Sequence, residues 1–437
     1  MKTSILKKLS LAFVFLCIVA AVISYWLVIS TRANLNAIKK SVAESGQITE
    51  ITDYPLPVLS DDQNAFIILS ELSKELEQIE GKLSKIDDEH GIYGFVDGEQ
   101  VSKEALAQVA QLLPKYDTVF DSLAKASDLA GFRSNFDPTQ GFAAELPHLG
   151  MIRSTCRTLS VKAILDAHEG RGDAALETCG TILRISKLSE NEPLLISHLV
   201  SVACQTISLS TTNHILQVAE VSEAAIDRFL QQLDQLNVYE SLVAAVEAER
   251  AMGILTFQQL RSGSLGEDFT QQLPGPASIG NNWLTEAYLN DDEATYVKIM
   301  SQQLSVINEP KSIRDLKIEE SLAPLEDSSS RFVVSKLILP ALSGAIDSAD
   351  RLEAMIRCVR IVTVATKLKT TSIDDLTLPE SKTLDPFNQL PLVVKATESG
   401  WLVYSVGQNL VDDGGAFQSK LDIGIGPLTE SGVKPGE

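Results

Sequence analysis

The first forty residues differ from the rest of the chain in how apolar and charged positions are distributed. Between Lys8 and Arg32 lie 23 residues without one charge, and about 20 apolar residues are enough for a helix to cross the hydrocarbon core of a bilayer. Tyr25 and Trp26 stand near the far end of this stretch, and amphipathic rings favour the headgroup interface. The pattern predicts a transmembrane helix within a segment over residues 1–40.

This segment is expected to be an uncleaved signal-anchor, with a cleaved signal peptide as the alternative. A signal peptide has an apolar core of about 7–15 residues followed by small residues at its cleavage site. Here the core is longer, and the nearest candidate site, Thr31-Arg32-Ala33, contains a bulky charge. A short N-terminal tail before a long domain predicts a cytoplasmic N-terminus. We therefore expect a single-pass protein of the cell membrane, with the bulk of the chain extracytoplasmic.

The apolar pattern of the body is that of a helical protein. Residues 41–60, with Pro55 and Pro57, predict an extended linker. From Ser60 onward, leucine and isoleucine recur at spacings of three and four, which is typical of amphipathic helices. Helices are predicted over 61–90, 102–130 with a break at Pro114, 147–168, 174–188, 193–218, 222–236, 238–261, 284–306, and 331–369 with a break near Pro340. The sequence thus predicts an irregular array of α-helical hairpins over residues 61–345, interrupted by a flexible loop over 262–283.

The pattern changes after Lys369. Asp385-Pro386-Phe387 predicts a turn, and Leu392–Lys395 and Trp401–Val406 are short β-rich runs separated by turn residues, which indicates a hairpin. Residues 346–437 are therefore expected to form a long helix followed by a β-hairpin tail. The fold class predicted for the whole chain is mainly α, with a small C-terminal α+β module.

The tail resembles the end of the type II secretion major pseudopilins. The resemblance rests on the turn at Asp385, the hairpin that ends Tyr404-Ser405-Val406-Gly407, and the Asp- and Gly-rich loop after it. The wider pattern is similar to a family of uncharacterised, single-span, helical bacterial envelope proteins, through fragments such as Leu146-Pro147-His148-Leu149 and Gly172-Asp173-Ala174-Ala175-Leu176. No activity comes with that family. The chain departs from the pseudopilins at its start, because Lys7–Phe13 lacks their processing motif.

The resemblance also implies a metal site. In the pseudopilins, the loop that matches residues after Gly407 binds calcium through carboxylate and carbonyl oxygens, the ligands that calcium prefers. The matching residues here are Asn409, Asp412, Asp413 and Asp422. Calcium is thus the one cofactor to consider, and a solvated turn without metal is the alternative.

Charge narrows the classes of partner, and the cysteines bear on whether disulfides form. The chain has 58 acidic and 37 basic residues and a net charge of −21, which argues against nucleic-acid binding because phosphates attract basic surfaces. Cys156, Cys179 and Cys204 fall in predicted helices, where buried thiols behave as small apolar residues. A disulfide among these three is the alternative in an oxidising compartment.

Catalytic motifs are absent from the sequence. It contains no phosphate-binding glycine loop, no Gly-x-Ser-x-Gly nucleophile motif and no zinc-binding histidine pattern. Glu240 and Glu247 lie two turns apart on one predicted helix, which would suit a carboxylate pair for acid–base chemistry. Glu247 with Arg250 is also an ordinary surface ion pair at i,i+3. We therefore expect an interaction or scaffold protein with a protein partner. The alternatives are a calcium-stabilised accessory of a secretion or pilus-like system and an extracytoplasmic hydrolase.

Overall fold

The computed structural model describes residues 2–192, 194–265, 283–326, 331–417, 419 and 421–429. Within these ranges the chain is mainly helical, with one long apolar N-terminal helix and a small antiparallel sheet near the C-terminus, as the sequence predicts. The α-helices are α1 (Lys2–Glu44), α2 (Ala65–Glu71), α3 (Ser73–His90), α4 (Lys103–Leu112), α5 (Asp117–Ser127), α6 (Pro147–His168), α7 (Gly172–Leu188), α8 (Leu195–Val218), α9 (Glu223–Asp234), α10 (Val238–Ser262), α11 (Trp283–Leu304), α12 (Lys311–Glu326), α13 (Val333–Ile338) and α14 (Pro340–Leu368). The strands are β1 (Val393–Thr397), β2 (Gly400–Ser405) and β3 (Ile423–Ile425).

Helix α1 has an apolar half and a half that packs into the body. From Leu11 onward it is long and apolar enough to cross a membrane, and its most apolar window is not buried against the protein at all. Further along the same helix, Leu35 and Val42 are 5% and 6% exposed. The helix therefore runs without interruption from the apolar stretch into the protein core.

α1 lies beside α11 and runs parallel to it. Ion pairs join Arg32 to Glu286 and Lys39 to Glu293, and in both pairs the two residues are 254 positions apart. Gln47 and Ser301, which have the same offset, both accept hydrogen bonds from one guanidinium, at 2.7 and 3.1 Å. A constant offset over two turns or more requires two parallel helices in one register.

Residues 41–60 differ from the extended linker that the sequence predicts. Helix α1 continues through Glu44, and Ile51, in a short 3₁₀ turn, is buried in a small cluster with Phe136 and Met252. The backbone carbonyl of Ile48 accepts a hydrogen bond from the Arg250 side chain. The segment is held against the body because its apolar residues find partners there, so it does not act as a spacer.

Two large apolar clusters hold the helices together. One is built from α2–α5 on one side of α6, and the other from α8–α11 and α14. The helices α6, α7 and α8 contribute to both clusters and pack on one another. The chain turns between α6 and α7 at Gly170, which adopts φ +79°, a conformation that glycine reaches without steric cost.

Most predicted helices are confirmed, and one helix was not predicted. The breaks at Pro114 and Pro340 both appear, the first as a 3₁₀ turn and the second between α13 and α14. Helix α12 was not predicted because its apolar residues do not form one buried stripe. Ile313 and Leu316 are exposed, and Pro324 lies inside the helix. Most of the predicted flexible loop, residues 266–282, lies outside the described residues.

The predicted hairpin, β1 and β2, belongs to a three-stranded antiparallel sheet ordered β1-β2-β3. Val394 pairs with Val403, which pairs in turn with Ile425. The sheet packs on α14. The buried Asp385 holds the turn before it, because its carboxylate accepts hydrogen bonds from the backbone N–H groups of Phe387 (2.8 Å) and Val406 (2.9 Å). Arg357 of α14 donates to the carbonyl of Leu384 at 2.6 Å, which joins this turn to the far half of the helix.

Candidate functional site

A polar cleft of about 350 Å³ lies between the end of α7, the start of α8 and the start of α10. We call it the first cleft. It forms because α7 ends in a 3₁₀ turn over Ser189–Asn191 and α8 begins soon afterwards at Leu195. The residues that line it are Lys187, Glu190, Asn191, His198, Gln205, Leu236, Asn237, Val238, Glu240, Ser241, Ala244 and Ala245.

Glu190 is the central carboxylate of the first cleft. Its Oε1 accepts hydrogen bonds from Ser201 Oγ at 2.7 Å and from Gln205 Nε2 at 3.3 Å, and Gln205 also donates to Ser201 at 2.9 Å. Burial raises the pKa of Glu190, although the hydroxyl of Ser201 and the charge of Lys187 oppose the shift. The carboxylate is therefore fixed in position by neutral donors.

His198 and Ser241 meet in the same cleft, where the Ser241 hydroxyl also interacts with the Glu190 carboxylate. A hydrogen bond joins His198 Nδ1 to Ser241 Oγ at 2.9 Å. The imidazole is buried, and burial lowers the pKa of His198 to about 4. The ring is therefore neutral at neutral pH. Its Nε2 has no hydrogen-bond partner among the described residues.

This arrangement is a serine beside a histidine, without the third group of a catalytic triad. In a triad a carboxylate orients the imidazole and stabilises its charged form, and a general base works best when its pKa is near the operating pH. The Nε2 of His198 meets no carboxylate among the residues described, and a pKa of about 4 makes the ring a weak base. The geometry therefore suits hydrogen bonding to a bound group better than removal of a proton from Ser241.

A second cleft of about 260 Å³ lies on the other side of the α9–α10 turn. It is lined by basic residues of α14 and of the segment after it: Arg360 pairs with Asp234 at 2.9 Å, and Arg357 pairs with Glu353 at 2.8 Å. The Nε and Nη2 atoms of Arg360 are buried without a hydrogen-bond partner among the described residues. We call this the second cleft.

The two clefts share one wall. Leu236, Asn237, Val238 and Glu240 line both of them. The first cleft holds the carboxylate of Glu190, and the second holds the guanidinium groups of Arg357 and Arg360. Such a surface offers hydrogen-bond donors and acceptors at fixed positions to a bound partner.

The predicted carboxylate pair on α10 is not brought into one site. Glu240 is exposed and lines the shared wall of the clefts, whereas Glu247 is half-buried and lines neither. Arg250, predicted to pair with Glu247 on the surface, is fully buried instead. Its guanidinium donates to Gln47, Ile48 and Ser301, so it fastens the end of α1 to the body.

The sequence alone does not mark Glu190, His198 and Ser241 as a site. A signal was present: His198, Ser201 and Gln205 lie at i, i+3 and i+7, which places these three polar side chains on one face of α8. Their partners on other elements could not be found from this spacing.

The predicted calcium ligands lie together in one loop, where hydrogen bonds already engage their oxygens. Asp412 accepts from Tyr404 OH at 2.7 Å and from the N–H of Gly414 at 2.9 Å; the buried Asp422 accepts from the N–H of Gly415 at 2.7 Å and of Ala416 at 3.2 Å.

The other two predicted ligands are hydrogen-bonded to each other: Asn409 donates to Asp413 at 2.8 Å. Among the described residues, no group of three or more His, Cys, Asp or Glu side chains is arranged to hold a metal ion. Calcium binding by this loop stays a prediction.

The cysteines of the body are free and buried, as predicted for apolar helix positions. Burial raises the pKa of Cys179 to about 12, so this thiol is not ionised at neutral pH. The alternative of a disulfide among Cys156, Cys179 and Cys204 is not formed in this structure.

Comparison with known proteins adds no relative. No protein-family model, no curated protein and no solved structure matches this chain. The similarity to pseudopilins and to single-span envelope proteins stays a prediction from the sequence, and the clefts are interpreted from their own chemistry.

Proposed function

We propose that this chain is a single-span membrane protein whose body lies outside the cytosol and binds a protein partner in the two clefts, without catalysis. The observation that carries the proposal is the pair of adjacent polar clefts at the start of α10, with the half-buried Glu190 in the first and Arg360 in the second. A segment of a partner that contacts both clefts meets a carboxylate acceptor in the first and guanidinium donors in the second.

The packing of α1 supports uncleaved anchorage. The apolar stretch that begins at Leu11 and the buried residues Leu35 and Val42 belong to one helix. Lys39 pairs with Glu293, which is fully buried and also contacts Arg261 at 2.5 Å. A buried carboxylate needs such partners, because an uncompensated buried charge costs several kcal/mol. The anchor is thus part of the fold of the body.

Site-specific photocrosslinking tests the binding proposal. A photoreactive phenylalanine in place of Asn237, which is exposed and lines both clefts, is expected to yield a discrete adduct in intact cells. The same residue in place of Glu77, which is exposed on α3, is the matched control and is expected to give none. Ala244→Trp fills the first cleft and is expected to abolish the adduct while the thermal unfolding midpoint is retained.

Three results would contradict binding in the clefts. These are the absence of an adduct from position 237, identical adducts from positions 237 and 77, or an adduct that persists when Ala244→Trp fills the cleft in a folded protein. Alkaline extraction of the membranes tests the anchor separately, and the protein is expected to stay in the pellet.

The contact between Ser241 and His198 is the one observation that favours the hydrolase alternative. An activated serine would react with a fluorophosphonate probe through its Oγ, with loss of fluoride. We expect no labelling of the full-length protein, because His198 is a weak base. Labelling that disappears in Ser241→Ala, with a control Ser262→Ala that retains it, would establish the hydrolase instead.

A further inference from the structure

The parallel register of α1 and α11 fixes how far α11 lies from the membrane. The Arg32–Glu286 and Lys39–Glu293 pairs give one offset of 254 residues. The first residue of α11, Trp283, is therefore level with Ile29 on α1. Ile29 lies inside the uncharged stretch that ends before Arg32.

The length of the apolar stretch shows where this level falls in a bilayer. A hydrocarbon core about 30 Å thick spans about 20 helical residues. If the hydrocarbon core is centred on the uncharged residues between Lys8 and Arg32, its outer boundary lies near residue 30 of α1. This boundary is within about 2 Å of the level of Trp283. Trp26, on α1 itself, lies about 4.5 Å deeper. Trp283 thus lies at the boundary between acyl chains and headgroups.

Trp283 has the exposure and chemistry of a residue at this boundary. Its side chain is 47% exposed, whereas Ala287 and Leu289, further along the same helix, are buried. An indole carries a large apolar body and one N–H donor, which is why tryptophan is enriched where one side is apolar and the other is wet. In water, half of this ring would be left without apolar contacts.

We propose that the N-terminal end of α11 is a second membrane contact, in which Trp283 inserts into the headgroup region of the leaflet from which α1 emerges. The body then rests on the lipid surface rather than standing away from it. This contact rests on the proposed anchorage by α1, and it fixes the rotation and height of the body above the bilayer.

The chain provides its own controls, because it contains three tryptophans: Trp26, Trp283 and Trp401. Trp401 lies in the sheet that packs on α14 near Cys358. Cys358 follows Asp350 along α14. Asp350 pairs with Arg314, which comes shortly after the C-terminal end of α11. The 22 residues of α11 are about 33 Å long, so Trp401 lies far above the level of Trp283.

Three full-length variants, each with a single tryptophan and phenylalanine at the other two positions, are reconstituted in vesicles of unlabelled or brominated lipids. Trp26 and Trp283 are expected to lose most of their emission in lipids brominated near the headgroup, and Trp283 to lose less when the bromines are near the bilayer centre. Trp401 is expected to keep its emission in every lipid. Thermal unfolding of each variant verifies the fold.

The possible outcomes separate the two proposals. Quenching of Trp26 without quenching of Trp283 would overturn the second membrane contact and leave the anchor intact. Absence of quenching at Trp26 would overturn the anchor itself. A nitroxide at Trp283→Cys in the Cys17→Ala protein gives an independent depth measurement, and accessibility to a water-soluble relaxing agent equal to that of the aqueous phase would also overturn the contact.

Discussion

Glu249 is expected to make the stability of the body depend on pH. This residue of α10 accepts a hydrogen bond from the backbone N–H of Leu195 at the start of α8, and burial raises its pKa from 4.5 to about 7. The carboxyl group of Glu249 therefore keeps its proton in the folded protein at pH values where the same group is ionised in the unfolded chain. Between pH 4.5 and 7 the folded state binds more protons, so stability falls as pH rises through this window.

The size of the effect follows from the shift. One pKa unit corresponds to about 1.4 kcal/mol, so ionising Glu249 costs the folded protein about 3 kcal/mol at and above pH 7. Glu249→Gln has nearly the same shape, carries no charge and keeps an oxygen for the Leu195 N–H. We expect the variant to match the wild type near pH 4 and to become more stable by about 3 kcal/mol above pH 7.

Thermal unfolding of the full-length chain in detergent, followed from pH 4 to 8, measures this difference. With about 2.1 cal/mol/K of unfolding entropy per residue, 3 kcal/mol raises the midpoint of this chain by roughly 3 °C. Glu240→Gln is the matched control, because Glu240 is an exposed carboxylate on the same helix. A difference between Glu249→Gln and wild type that is constant from pH 4 to 8, or that favours the wild type above pH 7, would refute the reasoning.

Three further results are expected from unfolding measurements on the full-length chain. Gly253→Ala places a methyl carbon 2.3 Å from the buried ring of Tyr296 and should destabilise the protein by about 1–3 kcal/mol. Gly81→Ala, which has open space around it, should stabilise the protein by up to about 1 kcal/mol. Equal effects of the two substitutions would contradict the packing of α10 on α11. Glu293→Gln leaves Lys39 and Arg261 beside a neutral buried group and should lower stability by about 3 kcal/mol. Glu286→Gln removes an exposed ion pair with Arg32 and should lower stability by less than about 1 kcal/mol. The reverse order would contradict the burial of Glu293. Calcium binding by the loop over 409–422 predicts a higher midpoint with calcium than with a chelator, and an unchanged midpoint would contradict it.

Helix positions could be predicted from the sequence because their signals are local. The stripe from Leu69 to Ile86 and the prolines at 114 and 340 determine where helices form and break, whatever lies elsewhere in the chain. The β-hairpin was found for the same reason. The third strand, Ile423–Ile425, is too short to give an alternating pattern of its own.

The features that position the anchor and the clefts depend on contacts between distant residues. Pro55 and Pro57 indicated a linker, but the start of that segment is held against the body by a hydrogen bond from Arg250, about 200 residues later in the chain. The apolar spacing of Leu35, Ile38 and Val42 was a local sign that α1 continues into the body. The cleft joins residues of α7, α8 and α10, and no spacing along one helix shows which of these will meet.

We propose that one unbroken helix crosses the membrane and holds the body on its outer side. Cysteine accessibility in intact cells tests it directly, with Val58→Cys as the probe because Val58 is 99% exposed while the native cysteines of the body are buried. We expect a membrane-impermeant maleimide to label this cysteine from outside, in a full-length protein that resists alkaline extraction. Labelling that occurs only after lysis, or a labelled protein that is released in soluble form, would contradict it.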